Sequence, residues 1–431
     1  MEQFVIEGGH RLNGVIEASG NKNAALKLIA ACLLTDEPVV LHNMPDIADV
    51  RAMCAILSSL GASVEWQSES VLRVHAKDIT SHRVDPELAQ QLRASIVLAG
   101  PMLARVGRLE LPAPGGDVIG HRRLDTHLLA LERLGASIEV NDRFIMTANG
   151  LTGADILLDE ASVTATENAV MAAVLAKGTT TIRNAASEPH VQDLCNMLTS
   201  LGGQIDGIGS NRLIIHGVER LHGGEFRIGA DYLEVGSFIG AAVVTGGEIR
   251  IKNADPHYMD MIELVFRRIG VIWEVDGPDI VVPRSQPLTI VPDLGKRIPV
   301  IKAQPWPAFP SDMMSIALLV ATQSAGAVIF HEWMYDGRLF FTDKLVSMGA
   351  RIVLCDPHRA LVQGPTALRG DLTITSPDIR AGMTLLLAAL CARGVTVIRN
   401  IGQIDRGYQH VEEKLRSLGA HIEREPVPNG A

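Results

Sequence analysis

Aromatic side chains are scarce in this chain: Phe, Trp and Tyr make up 4% of 431 residues, although apolar residues reach 47%. Its core must therefore be filled by Ala, Val, Ile and Leu, small side chains that let helices and sheets pack closely in layers. Cysteine is sparse too. Cys32, Cys54, Cys195, Cys355 and Cys391 are odd in number, widely spaced and without a CxxC pair. That pattern excludes a disulfide framework or zinc ribbon and points to free thiols in a reducing compartment. No apolar run reaches the roughly 20 residues of a bilayer-spanning helix. The opening Met1-Glu2-Gln3-Phe4-Val5-Ile6 lacks the basic-then-apolar order of a signal peptide, so a cytoplasmic protein is expected. A net charge of −10 argues against nucleic acid and anionic membrane as partners. HExxH, GxSxG, a P-loop and a GxGxxG after a strand are all missing, so neither a metal nor an organic cofactor is expected.

What the chain does contain is repetition. A chain of this length exceeds what one core normally supports, so two domains are expected. The pattern "LGA, then a strand" recurs at Leu60-Gly61-Ala62, Leu134-Gly135-Ala136, Leu201-Gly202-Gly203, Ile269-Gly270-Val271, Met348-Gly349-Ala350 and Leu418-Gly419-Ala420, about 70 residues apart. Each copy follows an amphipathic stretch, with glycine placed where a helix should stop. A second recurring piece is a β-branched strand after a glycine turn. It is clearest in Gly178–Asn184, matched by Gly247–Asn253 and Gly394–Asn400, with Val39–Asn43 a shorter relative. Each repeat reads helix, strand, helix, strand, with a further strand before the next helix.

The first helix of each repeat is almost wholly apolar and should be buried on all sides. Its start carries Lys22, Arg93, Glu167, Glu234, Asp312 or Arg380. A cation there opposes the positive end of the helix dipole, so Lys22, Arg93 and Arg380 call for an anion beside them. Glu167 and Glu234 at a helix start are expected to be simply stabilising. Six copies divide as three plus three, and helix N-termini gathered at one end suit an anionic ligand.

Several segments could carry chemistry, each with a plainer alternative. Ser19-Gly20-Asn21-Lys22-Asn23 is either an ordinary turn or a phosphate-binding helix start. Gly115-Gly116-Asp117-Val118-Ile119-Gly120-His121-Arg122-Arg123 is a ligand-approaching loop or a solvated surface loop. Trp306–Met313 presents Asp312 after a proline-braced turn, as a general base or as a plain helix cap. Asp378-Ile379-Arg380, Ile404-Asp405-Arg406-Gly407-Tyr408 and Tyr335-Asp336-Gly337-Arg338 supply arginines at equivalent ends of the repeats. Arginine forks match carboxylate and phosphate, so a substrate bearing both is implied.

Together these segments resemble the UDP-N-acetylglucosamine enolpyruvyl transferases of bacterial cell-wall synthesis, over roughly Phe4 to Arg424. The resemblance implies a two-domain inside-out α/β barrel of six βαβαββ units, three plus three, with the active site between the domains. Residues 22–230 would form the first domain, 1–21 with 231–424 the second, and 425–431 a flexible tail. It implies transfer of the enolpyruvyl group of phosphoenolpyruvate to the 3'-hydroxyl of UDP-N-acetylglucosamine. Lys22, Asn23, Arg93, Arg122, Arg338, Arg380 and Arg406 would bind the anionic groups, with Lys22 and Arg406 also counted as catalytic. Asp312 would take the proton from the sugar hydroxyl. Asp117 stands where many members carry a proton-donating cysteine, the target of fosfomycin, so resistance to that drug is implied. Arg122, Arg123, Leu124, Asp125 and Thr126, with Ser162, Val163 and Met334, would line the nucleotide-sugar place.

Arg123, Glu160, Thr164, Tyr232 and Gln403 depart from the usual family pattern. They motivate an alternative, transfer to a different uridine nucleotide or other acceptor, which phosphate release across a nucleotide panel would separate. The shikimate-pathway relative ranks lower because its motifs are missing. A catalytically silent binding protein has no reason to retain Lys22, Asp312 and the arginine set. An RNA-cyclase-like protein conflicts with the net acidity and the lack of a nucleotidylation histidine.

Overall fold

A computed structural model describes residues 2–115 and 123–428. The chain gathers into two compact units, dividing at Ser19/Gly20 and at Gly229/Ala230. Among the described residues the strands form six sheets, five of four strands and one of three.

The unit of residues 20–229 holds three of them. One orders Gly224–Arg227, Val39–His42, Val71–His75 and Ser63–Ser68; another Arg108–Pro112, Arg143–Thr147 and Ser137–Val140. The third orders Asp155–Leu157, Thr179–Arg183, Arg212–His216 and Gln204–Asp206. There Ile156 pairs in parallel with Ile182 across the crossover helix Val163–Ala173, and Ile182 pairs antiparallel with Leu213. A parallel pair demands such a crossover, while the antiparallel return needs only a turn.

The unit of residues 2–19 and 230–428 repeats the design. Its N-terminal strand Glu2–Glu7 is central, antiparallel to both Val395–Arg399 and His421–Pro426. Asn13–Glu17 runs parallel to Glu248–Lys252 in a second sheet. Glu2 faces Pro426 and Gln3 faces Glu425 in the ladder, which corrects the expectation of a flexible tail beginning at residue 425.

Helices lie inside and sheets outside. Every residue of Ile379–Cys391 except Cys391 is buried, as are all but the last of Tyr232–Thr245 and Met314–Gln323. Gly236 and Gly240 lie one turn apart on their helix. A Cβ at either would sit 2.4 Å from Met313 Cε or 2.7 Å from Ile316 Cγ2, so the missing side chains are what let the neighbouring helix approach. Outer helices bury one face, as Pro189–Ser200 does through Val191, Leu194, Cys195 and Leu198.

The recurring glycine stops are real. Gly61, Gly135, Gly202, Gly270, Gly349 and Gly419 adopt φ between 82° and 111°, a region costly for other residues. The strand repeats end on a second left-handed residue. Asn43, Asn184, Asn253 and Asn400 have φ of 58°, 59°, 51° and 58°. The Asn184 amide donates to Leu158 O at 3.0 Å and that of Asn400 to Ser376 O at 2.9 Å, each beyond the parallel neighbour strand. Asn184→Ala is therefore expected to destabilise by about 1–2 kcal/mol, combining backbone strain with a lost hydrogen bond. Asn184→Gly should lose only the bond; equal losses for both in urea unfolding would refute the strain argument.

Three helix starts differ from expectation, one of them at Asp312, which lies in the 3-10 turn Ser311–Met313 before the α-helix Met314–Gln323. Arg93 opens a 3-10 turn, Arg93–Leu98, before the α-helix Ala99–Arg105. Glu167 lies in the second turn of Val163–Ala173, fully buried, and so does not act as an acid at a helix start. Ser162 caps that helix instead, its hydroxyl accepting from Ala165 N. Among the described residues no helix is long and apolar enough to cross a membrane.

Candidate active site

In the unit containing the C-terminus, the N-terminal ends of three packed helices bring the chemistry together. Asp231 caps the first, accepting from Leu233 N at 3.0 Å. Asp312 lies in the turn Ser311–Met313 that leads into the second. Arg380 is the second residue of the third, capped by Asp378 through bonds of 2.8 and 2.9 Å from Arg380 N and Ala381 N.

Asp312 is not a cap. Its carboxylate bridges two guanidinium groups, Oδ1 to Arg338 Nη2 at 2.5 Å and Oδ2 to Arg380 Nε at 3.2 Å. Both arginine side chains are 7% exposed, whereas Asp312 is 32% exposed, so the carboxylate is the accessible member of the cluster. Burial alone would lower the Arg380 pKa, but Tyr408, Asp312 and Asp231 outweigh it and hold it above the ordinary arginine value. Burial opposes the Arg338 charge in the same way, and Asp312, Glu332, Tyr335 and Asp378 raise its pKa despite that.

The orientation of Arg380 is fixed by a relay. Arg380 Nη1 donates to Tyr408 OH at 3.1 Å, and the Tyr408 and Ser237 hydroxyls lie 3.0 Å apart. Ser237 Oγ donates to Leu233 O at 2.7 Å, so Tyr408 must donate to Ser237. Burial raises the Tyr408 pKa, which keeps the phenol a donor. On the other side, the Ser311 hydroxyl bonds Glu332, whose second oxygen accepts from Met334 N at 2.9 Å. Glu332 thereby ties the backbone of Met334 to the turn that carries Asp312. Arg406 is half-buried and donates to Gln403 at 3.1 Å. Its sequence neighbour Asp405 is bound by Arg424 at 2.7 Å, and Asp336 lies 3.5 Å from His358. Those two aspartates serve the framework.

In the other unit, Lys22 opens the helix Lys22–Ala31, and Asn21 caps it by accepting from Ala24 N at 3.1 Å. Lys22 Nζ lies 2.8 Å from Asp49, both side chains buried. The anion that a cation at a helix start requires is supplied here in part by the protein itself. Asn23 is half-buried beside it. Arg123 is exposed and paired with Asp125 at 3.1 Å. Leu124 precedes the helix Asp125–Arg133, and Thr126 Oγ1 donates to Asp159 at 2.6 Å. Ser162 and Val163 begin the adjacent helix, half-exposed.

A buried network joins these helices. Asn168 donates to His127 Nδ1 at 2.9 Å, so the ring proton sits on Nε2, 3.0 Å from Thr164 Oγ1. Asn168 also donates to Ile96 O and accepts from Gly100 N, both at 2.8 Å, anchoring the turn that carries Arg93. Burial, with the Arg93 charge, pushes the His127 pKa down to about 3. Asp117 and Arg122 lie outside the described residues.

Sequence reasoning missed Asp49, Glu332, Ser237 and the His127–Asn168 pair. Periodicity carries no signal for them, because each meets its partner through tertiary packing. The departures at Thr164, Tyr232 and Gln403 have local explanations: a bond to His127, burial against Trp306, and a bond to Arg406.

The architecture is that of the carboxyvinyl, or enolpyruvyl, transferases. The solved enolpyruvyl transferase NikO from Streptomyces tendae superposes with a TM-score of 0.87 at 25% identity, covering 99% of both chains. EPSP synthase from Acinetobacter baumannii shares the fold, with a TM-score of 0.75 at 16% identity over 99% of this chain and 100% of that one. Residues 6–415 match the family described as EPSP synthase (3-phosphoshikimate 1-carboxyvinyltransferase). A relative from Bradyrhizobium diazoefficiens named UDP-N-acetylglucosamine 1-carboxyvinyltransferase is 55% identical, over 98% of each chain. Another of that name from Treponema denticola is 52% identical, over 98% of this chain and 99% of that one. The chain belongs to the EPSP synthase family and, within it, to the UDP-N-acetylglucosamine 1-carboxyvinyltransferases.

Proposed function

We propose that this protein transfers the enolpyruvyl group of phosphoenolpyruvate to the 3'-hydroxyl of UDP-N-acetylglucosamine with release of phosphate, the first committed step of peptidoglycan precursor synthesis, in the cytoplasm. The observation that carries this reading is Asp312 bridging buried Arg338 and Arg380, in a chain 55% identical over its length to a relative of that name.

The chemistry asks for what the cluster offers. A proton is added to the methylene carbon of phosphoenolpyruvate, and the sugar oxygen bonds to C2 as its own proton passes to Asp312. The tetrahedral ketal keeps its phosphate and carboxylate charges. Loss of a proton from the new methyl group and cleavage of the C2–O bond to phosphate then give the enol ether. Arg338, Arg380 and Arg406 act as preorganised cations for those charges, as do Lys22 and Arg93. An arriving anion competes with Asp312 for the guanidinium forks, which frees the carboxylate to accept a proton. Lys22 and Asn23 bind anionic groups, and Arg122 to Thr126, Ser162, Val163 and Met334 line the nucleotide-sugar place.

Incubation with phosphoenolpyruvate and a panel of sugar nucleotides, with phosphate release and product mass as readouts, tests the assignment. Preferred turnover of another uridine nucleotide would overturn the acceptor, and absence of phosphate release with all of them would overturn the reaction. Asp117 is the proposed proton donor to the methylene carbon. Because a carboxylate attacks an epoxide far more slowly than a thiolate does, the native protein should resist fosfomycin. Asp117→Cys should remain active and become time-dependently inactivated. Equal inactivation rates for both proteins would remove Asp117 from that position.

A further inference from the structure

The N-terminal strand Glu2–Glu7 ends beside the start of the last strand, His421–Pro426, and Glu7 and His421 are register partners across that ladder. His10 follows in the adjoining turn. Glu7 Oε1 lies 3.6 Å from His10 Nε2, and Glu7 Oε2 accepts from His421 Nδ1 at 3.3 Å. One ligand-capable atom from each of the three residues lies within 4.8 Å of the others. None of the three belongs to the transferase machinery. We propose that Glu7, His10 and His421 form a binding site for a divalent transition metal of the Zn²⁺ class, which clips the first strand of the chain to the last.

Two imidazoles and a carboxylate are a donor set that favours zinc and its neighbours over magnesium or calcium, which prefer all-oxygen shells. The separations suit the ion. Metal–ligand bonds of about 2.1 Å in a tetrahedron place the ligand atoms about 3.4 Å apart, near the 3.6 and 3.3 Å at which the two oxygens of Glu7 meet His10 and His421 respectively. Two of the three ligands are fixed by strand pairing. The backbone leading to the third is pinned, because Gly8 N donates to Gly394 O at 3.1 Å and Gly9 N to Leu390 O at 2.9 Å. The imidazoles stack with centroids 3.7 Å apart and planes 20° apart, so one ring must turn for both nitrogens to face one ion. His10, on the turn, is the ring free to do so.

The neighbouring cations are engaged elsewhere. Arg424 pairs with Glu2, Asp405 and Glu412, and Arg416 Nε donates to Ile422 O at 3.0 Å. Glu7 and His421 also line a surface cavity of about 710 Å³, through which water can reach a fourth ligand position. The two ends of the clip are 414 residues apart in sequence. A metal bridge across so long a chain resists separation of the terminal strands.

The test is titration of the full chain with Zn²⁺ by calorimetry, and with Co²⁺ by visible absorption, in buffer freed of chelators. One site should appear in the wild type, with the d–d bands of nitrogen-ligated Co²⁺. Affinity should fall at least tenfold in H421A and in H10Q, while transferase turnover without metal stays unchanged. Zinc at about 100 times its Kd should also raise the Tm of the wild type by several degrees and leave that of H421A unmoved. Absence of binding to the wild type, or wild-type affinity in either variant, would overturn the proposal. The three residues are partly or fully exposed, so the variants should fold, and melts without metal check that.

Discussion

Asp312→Asn is expected to lower kcat by ~10²–10⁴-fold, the usual loss when a general base is removed, while phosphoenolpyruvate still binds. The substitution keeps the shape of the side chain but removes the charge and turns one of the two acceptor oxygens into an NH2 donor that must face an arginine N–H. Arg338 and Arg380, each 7% exposed, then lose their shared carboxylate partner. Two consequences follow with opposite signs. Folding stability should drop by about 1–3 kcal/mol, less than for a fully buried pair because Asp312 itself reaches solvent. Anionic substrate should meet less competition for the two guanidinium groups, so KM for phosphoenolpyruvate should stay level or fall. A purely structural role for Asp312 would instead raise KM and lower kcat together. Turnover within threefold of the wild type would exclude Asp312 as the base.

The repeats were legible because they rest on local backbone demands. Only glycine takes φ near 100° cheaply, so Gly61 and Gly419 mark helix ends in any tertiary context. Asn43, Asn184, Asn253 and Asn400 belong with them, as residues that tolerate the left-handed region and can bond a neighbouring strand. The cations at Lys22 and Arg380 were legible as misfits with the helix dipole, and that misfit located both clusters. What the misfit could not identify was the partner. Asp49 stands 27 positions from Lys22, on a different helix, and Asp312 stands 68 from Arg380. Local propensity made Asp312 an equally good cap, and only packing against Arg338 decided otherwise. Glu167 misled for a related reason. It was read at a helix start, whereas Ser162 begins that helix and leaves Glu167 facing the core.

That buried position gives the second large effect, a stability profile with a plateau. Glu167 is fully buried, and among the described residues the long 3.4 Å contact from Lys27 Nζ is the one polar contact of its carboxylate. Burial raises its pKa from 4.5 to about 8; Lys27 opposes the rise and Glu188 adds to it. Its folded pKa lies above the unfolded one, so the native state holds one proton more between pH 4.5 and 8. Stability from Glu167 is complete below that window and is lost as pH climbs through it. His127 has the opposite sign. Its pKa falls from 6.5 to about 3, so the unfolded chain holds the extra proton between those values and stability rises with pH. The two slopes cancel between pH 4.5 and 6.5. Of the two, only His127 contributes below that plateau and only Glu167 above it, from pH 6.5 to 8; each contribution amounts to about 2 kcal/mol. Amide protection of the helix Val163–Ala173, corrected for intrinsic exchange, should therefore decline above pH 6.5 in the wild type. Glu167→Gln should flatten that decline whatever its overall stability, because the slope reports the proton and the level reports packing around Lys27. His127→Gln, whose amide oxygen can still accept from Asn168, should make the acid limb shallower and leave the alkaline limb intact; Asp279, Asp356 and Glu412, whose carboxyl pKa values the fold lowers, keep part of the acid limb. Protection that rises steadily through pH 8, or a decline that survives Glu167→Gln, would show that Glu167 is ionised at neutral pH in the folded protein.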